Sequence, residues 1–194
     1  MNTQPIIDHL TSYLPLKEEE IKELETKLLE RNIKRKQFIL QEGDICKHYT
    51  FVVKGCFKMY KVDKNGNEHN LQFTIENGWI GDLGSFYSNK PSELYIEAME
   101  SSIILQIEKK NLLHLYTNYL VFNRIFRVLV ENAFIRLQKR VLQNISSTAE
   151  ERYVDFIENY PSLFNRISNV QIASFLGVTP EFLSKIRKDL TSKI

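Results

Sequence analysis

Cysteine, net charge and long apolar runs are all scarce in this sequence. Its 194 residues include two cysteines, Cys46 and Cys56, which cannot supply the ligands of an iron–sulfur cluster or an all-cysteine zinc site. No apolar run is long enough to span a membrane, and the amino terminus does not resemble a secretory signal. The net charge is only +2, so any nucleic-acid-binding surface must be local. These features predict a reduced, cytoplasmic protein.

Signatures of enzymes, metal sites and haem sites are also missing from the sequence. The four histidines, His9, His48, His69 and His114, are scattered, and no His-x-His pair of a metal-dependent jelly-roll enzyme occurs. No Ser-His-Asp, paired-cysteine or phosphate-loop pattern occurs either. We therefore expect no enzymatic activity, no cofactor and no metal. The cysteines are expected to be ordinary buried thiols, with a redox role as the alternative.

The first two thirds of the chain show a helix followed by many short strands. Apolar residues at helical spacing predict a surface helix over residues 16–31. From residue 37 the period changes to two, and Asn65-Gly66 between alternating runs is a strong hairpin signal. The predicted strands are QFIL, YTFVV, CFKMYKV, HNLQFTI, LYIEAM and SIILQI. Several strands at this spacing predict an antiparallel sandwich or barrel of the jelly-roll type.

A long helix is predicted next, after a short helix in KKNLLHLY. Residues 120–145 contain no glycine or proline, and their apolar rows are longer than one small core requires. One row consists of Val121, Ile125, Val128, Asn132 and Ile135. We expect this row to contact the same helix of a second copy, and packing wholly within one chain is the alternative.

The residues after the long helix predict a separate carboxyl-terminal domain. A new helix follows in SSTAEERYVDFIENYP, with Thr148 or Ser147 as its cap and acidic residues in its first turn. We therefore divide the chain into a sensor domain over 1–117, a dimerisation helix over 118–145 and a DNA-binding domain over 146–194.

The stretch NVQIASFLGVTPEFLSKIRKDL, residues 169–190, has the pattern of a helix-turn-helix. Ala173 is the small residue that lets the second helix cross closely, and Gly177 supplies the turn. Thr179 can cap the second helix, and Pro180 suits its first turn. Apolar residues occupy the positions that set the crossing angle: Ile172, Leu176, Val178, Leu183 and Ile186. A helical hairpin that only completes a core is the alternative interpretation.

The second helix of this motif presents a locally basic surface. Together with Lys193, its basic residues outnumber the acids Glu181 and Asp189. A basic helix of this kind can read bases at its start while lysine and arginine bind phosphates. The predicted DNA-binding residues are Thr179, Glu181, Ser184, Lys185, Arg187 and Lys188.

A β-rich domain, a long helix and a helix-turn-helix, in this order, resemble the cyclic-AMP receptor and fumarate–nitrate regulator (Crp/Fnr) superfamily of bacterial transcription factors. The resemblance covers about residues 16–190 and is carried by ILQEGD, YTFVVKGCFKMYKVDKNGNEHNLQF, WIGDLGSF, PSELYIEAME and QIASFLGVTPEFLSKIRKDL. It implies an α+β chain with an amino-terminal antiparallel jelly roll similar to cyclic-nucleotide-binding domains. It also implies a homodimer in which a ligand in the jelly roll reorients the domains that bind operator DNA.

The resemblance places a ligand pocket where WIGDLGSF and PSELYIEAME match the opening and the close of the family's phosphate cassette. The matching positions are Gly81, Asp82, Leu83, Ser92 and Glu93. Ser92 stands where nucleotide-binding members have the arginine that binds the cyclic phosphate, and Lys90 is two residues away. A buried phosphodiester without this guanidinium loses its strongest hydrogen bonds, and Asp82 and Glu93 would repel it. We therefore expect another ligand, or none, instead of cyclic AMP or cyclic GMP.

The helix-turn-helix region also departs from the family pattern. Pro180 stands where the best-known members have a base-reading arginine, whereas Glu181 and Lys185 match their acidic and basic positions. Only SLFNRIS precedes the motif, so the β-hairpin wing of other members is expected to be reduced or absent. Glu181 could accept from cytosine and Lys185 could donate to guanine.

The function predicted from these features is a homodimeric transcription regulator that is not an enzyme. Its expected partners are double-stranded DNA, a second copy of the chain, a small-molecule effector of unknown identity, and RNA polymerase. The alternative is a ligand-sensing protein of the same fold that acts through protein contacts without binding DNA.

Overall fold

The chain begins with two helices, continues with strands around a short helix, and ends with further helices. This order is seen in the computed structural model, which describes residues 1–191. The helices are α1 (Gln4–Thr11), α2 (Glu18–Lys27), α3 (Leu83–Ser88), α4 (Lys109–Asn118), α5 (Leu120–Ser146), α6 (Ala149–Asn159), α7 (Asn169–Leu176) and α8 (Pro180–Thr191). The strands are β1 (Leu28–Ile33), β2 (Phe38–Leu40), β3 (His48–Lys54), β4 (Phe57–Val62), β5 (Glu68–Thr74), β6 (Trp79–Ile80), β7 (Tyr95–Ala98) and β8 (Ser102–Glu108).

The predicted jelly roll is confirmed by the arrangement of these strands in two four-stranded sheets. Among the described residues, the first sheet has the order β1-β8-β3-β6 and the second has the order β2-β7-β4-β5. Strand β8 lies between β1 and β3 and is antiparallel to both, with Leu105 opposite Glu30 on one side and Phe51 on the other. Strands β4 and β5 are neighbours, as the Asn65-Gly66 signal predicted.

The helix predicted over residues 16–31 is too long at its carboxyl end. Helix α2 ends at Lys27, and residues 28–33 form β1, which is paired with β8 along its whole length. The helical spacing of this segment is overridden because pairing with β8 satisfies the backbone and buries Ile33. Helix α1 was not predicted, although its Ile6 and Leu10 are completely buried.

The described chain divides into two compact units. The first contains residues 1–59 and 73–131, and the second contains residues 60–72 together with the chain from Asn132 onward. This division passes through the β4–β5 hairpin and through α5. The three-part division at residues 117 and 145 stays a prediction.

An aromatic cluster joins the first sheet to the beginning of α5 in the first unit. The Trp79 ring lies between Tyr49 and Phe126, with centroid distances of 4.8 Å to Tyr49 and 5.1 Å to Phe126. Phe51 is completely buried and packs 5.3 Å from Trp79. Aromatic packing of this kind stabilises the contact between α5 and the sheet by more than the burial of apolar area alone.

None of the helices described in residues 1–191 is both long enough and apolar enough to cross a membrane.

Gly55 is the position in the first unit where a side chain would be tolerated least. It connects β3 to β4 with a φ of 111°, and a Cβ built there would lie 2.0 Å from Ser102 Oγ. Gly43 also has a positive φ, of 89°, but a Cβ there would meet nothing within 4 Å. A substitution at Gly43 therefore introduces backbone strain alone, whereas one at Gly55 introduces both backbone strain and steric overlap.

We predict that Gly55→Ala destabilises the protein far more than Gly43→Ala. A positive φ should cost each variant about 1–2 kcal/mol, and overpacking against Ser102 should cost Gly55→Ala a further 1–3 kcal/mol or so. Equilibrium unfolding in urea would measure both losses. Equal losses in the two variants would show that the contact with Ser102 can relax.

Candidate functional sites: a helix-turn-helix and a closed phosphate cassette

The predicted helix-turn-helix is formed by α7 and α8 in the second unit. Ser168 caps α7, where its hydroxyl oxygen accepts from the Gln171 amide and the Gln171 side chain accepts from the Ser168 amide. Gly177 ends α7 in the left-handed conformation, with a φ of 69°. Thr179 Oγ1 then accepts from the Phe182 amide at 3.2 Å, so this hydroxyl caps α8 as predicted.

The interior of the motif is apolar, as the sequence pattern requires. Ala173 is completely buried, so α8 crosses close to the α7 backbone. Tyr153 and Phe156 of α6 are also buried in the second unit. The other positions predicted to set the crossing angle are buried, apart from a half-buried Val178: Ile172, Leu176, Leu183 and Ile186.

One face of α8 presents most of the predicted DNA-binding residues to solvent. Glu181, Ser184, Lys185 and Lys188 are all exposed. The Ser184 hydroxyl donates to the Pro180 carbonyl at 2.9 Å within its own helix. Sequence reasoning missed Phe182, whose side chain is 48 % exposed beside Glu181 at the start of α8. Its residue type gave no signal, because an aromatic residue at this spacing usually belongs to the core.

Arg187, which was predicted to face outward with these residues, is held by contacts within the motif, and its role in DNA binding stays a prediction. Its guanidinium donates to Asn169 Oδ1 at the start of α7 and lies 5.0 Å from the centre of the Phe164 ring. The side chain is half-buried, and these contacts orient it along the α7–α8 pair. Lys193, which was counted with the basic residues, lies outside the described residues.

The β4–β5 hairpin contacts α7 within the second unit. The Asn70 amide donates to Ser174 Oγ at 3.0 Å, and the Ser174 hydroxyl donates to the Glu68 carbonyl at 2.6 Å. Arg140 of α5 donates to the Asn70 and Phe175 carbonyls at 2.9 Å each and also to the Leu71 carbonyl. Burial lowers the pKa of this guanidinium. These bonds attach α7 to the hairpin and to α5.

Helix α5 presents a different apolar row from the one predicted. Ile125 is completely buried in the core of the first unit, and Val121 packs against that core, so Ile125 cannot reach another chain. Val128 and Asn132 are half-buried, whereas Ile135 is exposed. Apart from Leu120 at the start of the helix, the exposed apolar residues lie from Val130 onward, with Phe134 64 % and Ile145 79 % exposed. The others on this surface are Val130, Leu137, Val141 and Leu142.

The predicted phosphate-cassette residues are closed on themselves. The Ser92 hydroxyl donates to Asp82 Oδ2 at 2.7 Å, and Asp82 Oδ1 accepts from the Ser85 amide at the start of α3. Ser92 is buried, and its backbone bonds to Gly43 and Asp44. Gly81 and Leu83 are half-buried, and Glu93 is exposed. The cassette therefore contains a satisfied carboxylate–hydroxyl pair at the position where a phosphate-binding arginine would be needed.

The cysteines are placed as ordinary thiols in the first unit. Cys46 and Cys56 are both buried thiols. Burial raises the pKa of the Cys46 thiol, which opposes the thiolate form needed for redox chemistry. The residues described also contain no group of three or more His, Cys, Asp or Glu side chains that could hold a metal.

No β-hairpin wing is present beside the helix-turn-helix in the described chain. From Ala149 to Thr191 the backbone forms only helices and turns, and turns occupy residues 161–166 between α6 and α7. The reduced wing predicted from SLFNRIS is therefore confirmed for this range.

Several known proteins are similar to this chain. Residues 30–119 match the cyclic nucleotide-binding domain family. The structure of FixK2 from Bradyrhizobium japonicum is similar with a TM-score of 0.75 at 18 % identity, covering 86 % of this chain and 85 % of FixK2. The c-di-GMP responsive global regulator CLP of Xanthomonas campestris is similar with a TM-score of 0.73 at 14 % identity, covering 91 % of this chain and 93 % of CLP.

A third solved structure agrees with these two. A CooA mutant from Carboxydothermus hydrogenoformans has a TM-score of 0.72 at 16 % identity, covering 95 % of this chain and 84 % of its own. No curated protein sequence matches the chain. CLP is a regulator, and so is DNR of Pseudomonas aeruginosa, whose sensor domain is also similar in structure. Residues 30–119 are similar to the cyclic nucleotide-binding domain family, and the fold of the chain is similar to those of FixK2, CLP and a transcriptional regulator of the crp/fnr family from Eubacterium rectale.

Proposed function

We propose that this protein is a homodimeric, DNA-binding transcription regulator whose cyclic-nucleotide-binding-like domain does not bind cyclic AMP. The observation that carries the proposal is the exposed face of α8, where Glu181, Ser184, Lys185 and Lys188 stand together on a capped second helix. Polar and basic residues at the start of such a helix suit it to the major groove of DNA. RNA polymerase is a further partner of a regulator of this kind.

The exposed apolar row on α5 supports the homodimer. Phe134, Leu137, Val141 and Ile145 follow one another at helical spacing and are at least half exposed. A contiguous apolar surface of this length on a soluble chain marks an interface, and a second α5 is its self-complementary partner. Two copies would then present two α8 helices to a two-fold symmetric DNA site.

The closed cassette supports a sensor that has lost nucleotide binding. Asp82 carries a negative charge at the place where a cyclic phosphate would bring another, and Ser92 already donates its hydroxyl to Asp82. Lys90 is exposed, whereas Ser92 is buried and Asp82 is half-buried. A phosphate would have to displace a satisfied buried hydrogen bond without gaining a guanidinium.

We expect the protein to select a two-fold symmetric sequence from a pool of random DNA duplexes. Within that sequence, Lys185→Ala should lose about 1–3 kcal/mol of binding at one base-pair position and leave stability within about 0.5 kcal/mol. Binding isotherms on single-position variants of the selected site would measure the loss. If no duplex shifts even at low salt, the protein acts through protein contacts and the proposal is wrong.

Arg187→Ala is the matched control in this experiment. Because Arg187 bonds to Asn169 and stacks on Phe164, its removal should lower the free energy of unfolding by about 1 kcal/mol. Any effect on DNA binding should be the same for every sequence. A base-specific loss of binding in Arg187→Ala, with unchanged thermal unfolding, would show that Arg187 contacts the bases of the DNA.

The dimer is tested by placing a charge within the exposed row. Leu137→Glu should raise the dimer dissociation constant at least about tenfold, or 1.4 kcal/mol, because a carboxylate would be buried against apolar residues. Sedimentation velocity over a range of concentrations would measure the change. Leu113→Glu, at an exposed leucine on α4, is the control and should leave the mass unchanged. An unchanged mass for Leu137→Glu would exclude this face from the interface.

Calorimetry with cyclic AMP tests the closed cassette. We expect no saturable heat at millimolar nucleotide, because the Asp82–Ser92 pair leaves no cation for the phosphate. Saturable binding in the micromolar range would contradict this prediction, and loss of that binding in Asp82→Ala would show that the cassette holds the nucleotide.

A further inference from the structure

Three strands of the first sheet carry polar side chains on the face that lies toward the second sheet. Thr50 is opposite Gln106, and Arg31 is opposite Ile104, which lies two residues from Gln106 on β8. The three side chains therefore share one face, because residues two apart on a strand point the same way. Two residues along each strand, the same face carries apolar side chains: Ile33, Val52 and Ile104. The apolar pattern is therefore interrupted at one end of the sandwich.

The three polar side chains form one hydrogen-bonded chain. Thr50 and Gln106 are opposite each other in the β3–β8 pairing, and Gln106 Nε2 donates to Thr50 Oγ1 at 3.0 Å. Arg31 Nη1 donates to Gln106 Oε1 at 3.0 Å. Thr50 is 1 % exposed and Gln106 is 2 % exposed. Burying two neutral polar side chains costs free energy unless they are hydrogen-bonded. The bond to Thr50 fixes the Gln106 side chain, and Gln106 in turn orients the Arg31 guanidinium.

This guanidinium lines a cavity between the two sheets. The cavity has a volume of about 350 Å³ and is lined on one side by the loop at residues 44–47 and the first residue of β3. That volume lies within the range of about 300–1,000 Å³ that is typical of small-molecule sites. Its apolar wall comes from both sheets and the loop: Ile39, Leu40, Ile45, Ile80 and Ile96.

The charges at the cavity favour an anion. Arg31 and Lys47 are cationic, and Asp44 at the exposed loop is the acid among the lining residues. His48 also lines the cavity, and burial lowers the pKa of its imidazole, so it stays neutral near pH 7. The bond to Gln106 uses one N–H of a guanidinium that has several donors, and these match the two oxygens of a carboxylate. Apart from Gly81, the cassette residues do not line this space.

We propose that this cavity binds a small monocarboxylate with a short, branched apolar body. Arg31 holds the carboxylate, Gln106 and Thr50 fix the guanidinium, and the isoleucines and Leu40 enclose the apolar part. This ligand class rests on the proposed function, because it assigns an effector to the sensor domain. The effector would bind away from the closed cassette.

Calorimetry on the full chain tests the site with acetate, isobutyrate and isovalerate, each paired with its primary amide and compared with inorganic phosphate. We expect saturable binding that tightens from acetate to isovalerate and is absent for the amides and for phosphate. Arg31→Met should weaken isovalerate binding roughly ten- to a hundredfold, which is the range that a charge-assisted hydrogen bond supplies. Arg35→Met, at an exposed arginine in the turn after β1, should bind isovalerate like the unchanged protein.

A second pair of variants keeps the test valid if Arg31→Met folds poorly. Ile45 is 41 % exposed at the opening, so a polar residue there should leave the fold intact. Ile45→Glu should abolish binding by placing a carboxylate beside Arg31, whereas the isosteric Ile45→Gln should retain it. The proposal is overturned if no acid gives saturable heat, if the amides or phosphate bind as well as the acids, or if Ile45→Glu binds like Ile45→Gln.

Gel shifts with and without isovalerate separate the two proposals. Binding of isovalerate with no binding of any DNA would contradict the proposed function and leave the carboxylate site standing. DNA binding in a protein that gives no heat with any acid would contradict the carboxylate site alone.

Discussion

The first unit depends on the pairing of β8 with β1 on one side and with β3 on the other. This pairing forms a sheet on which other parts of the unit pack at both faces. One face carries Tyr49 and Phe51, which pack with Trp79 and Phe126 and so hold the start of α5. The opposite face carries Thr50 and Gln106 toward the second sheet. A helix bound on one side and a cavity on the other thus share the same three strands, which is a physical route by which a ligand could bias α5.

The phosphate cassette and the cavity between the two sheets differ in their preference for an anion. In the cassette, the Ser92 hydroxyl donates to Asp82, so the carboxylate is already engaged by the chain's own hydrogen bond. In the cavity, Arg31 keeps donors beyond its single bond to Gln106 and faces open space. Electrostatics therefore favours an anion at the second place and disfavours one at the first.

In the second unit, two arginines stabilise the structure instead of extending the basic surface. Arg140 donates to three carbonyls and stacks on Phe175 at 4.0 Å, and Arg187 bridges α8 to the start of α7. The exposed cations of α8 are thereby reduced to Lys185 and Lys188 among the described residues that were predicted to bind DNA. The start of α8 also presents the exposed Phe182 beside Glu181.

Elements whose signals are local could be predicted from the residues alone. The Asn65-Gly66 hairpin, the Thr179 cap, the Gly177 turn and the long α5 follow from turn chemistry, capping and the helical period. For α6 the sequence left Thr148 and Ser147 open, and the structure shows Thr148 as the cap. Tertiary structure alone decided where residues from distant segments meet. It turned residues 28–33 into a strand, buried Ile125, engaged Arg187 with Asn169, and brought Arg31, Thr50 and Gln106 together. The physical reason is that strand pairing and burial join residues far apart in the chain, and no local pattern of residues encodes those partners.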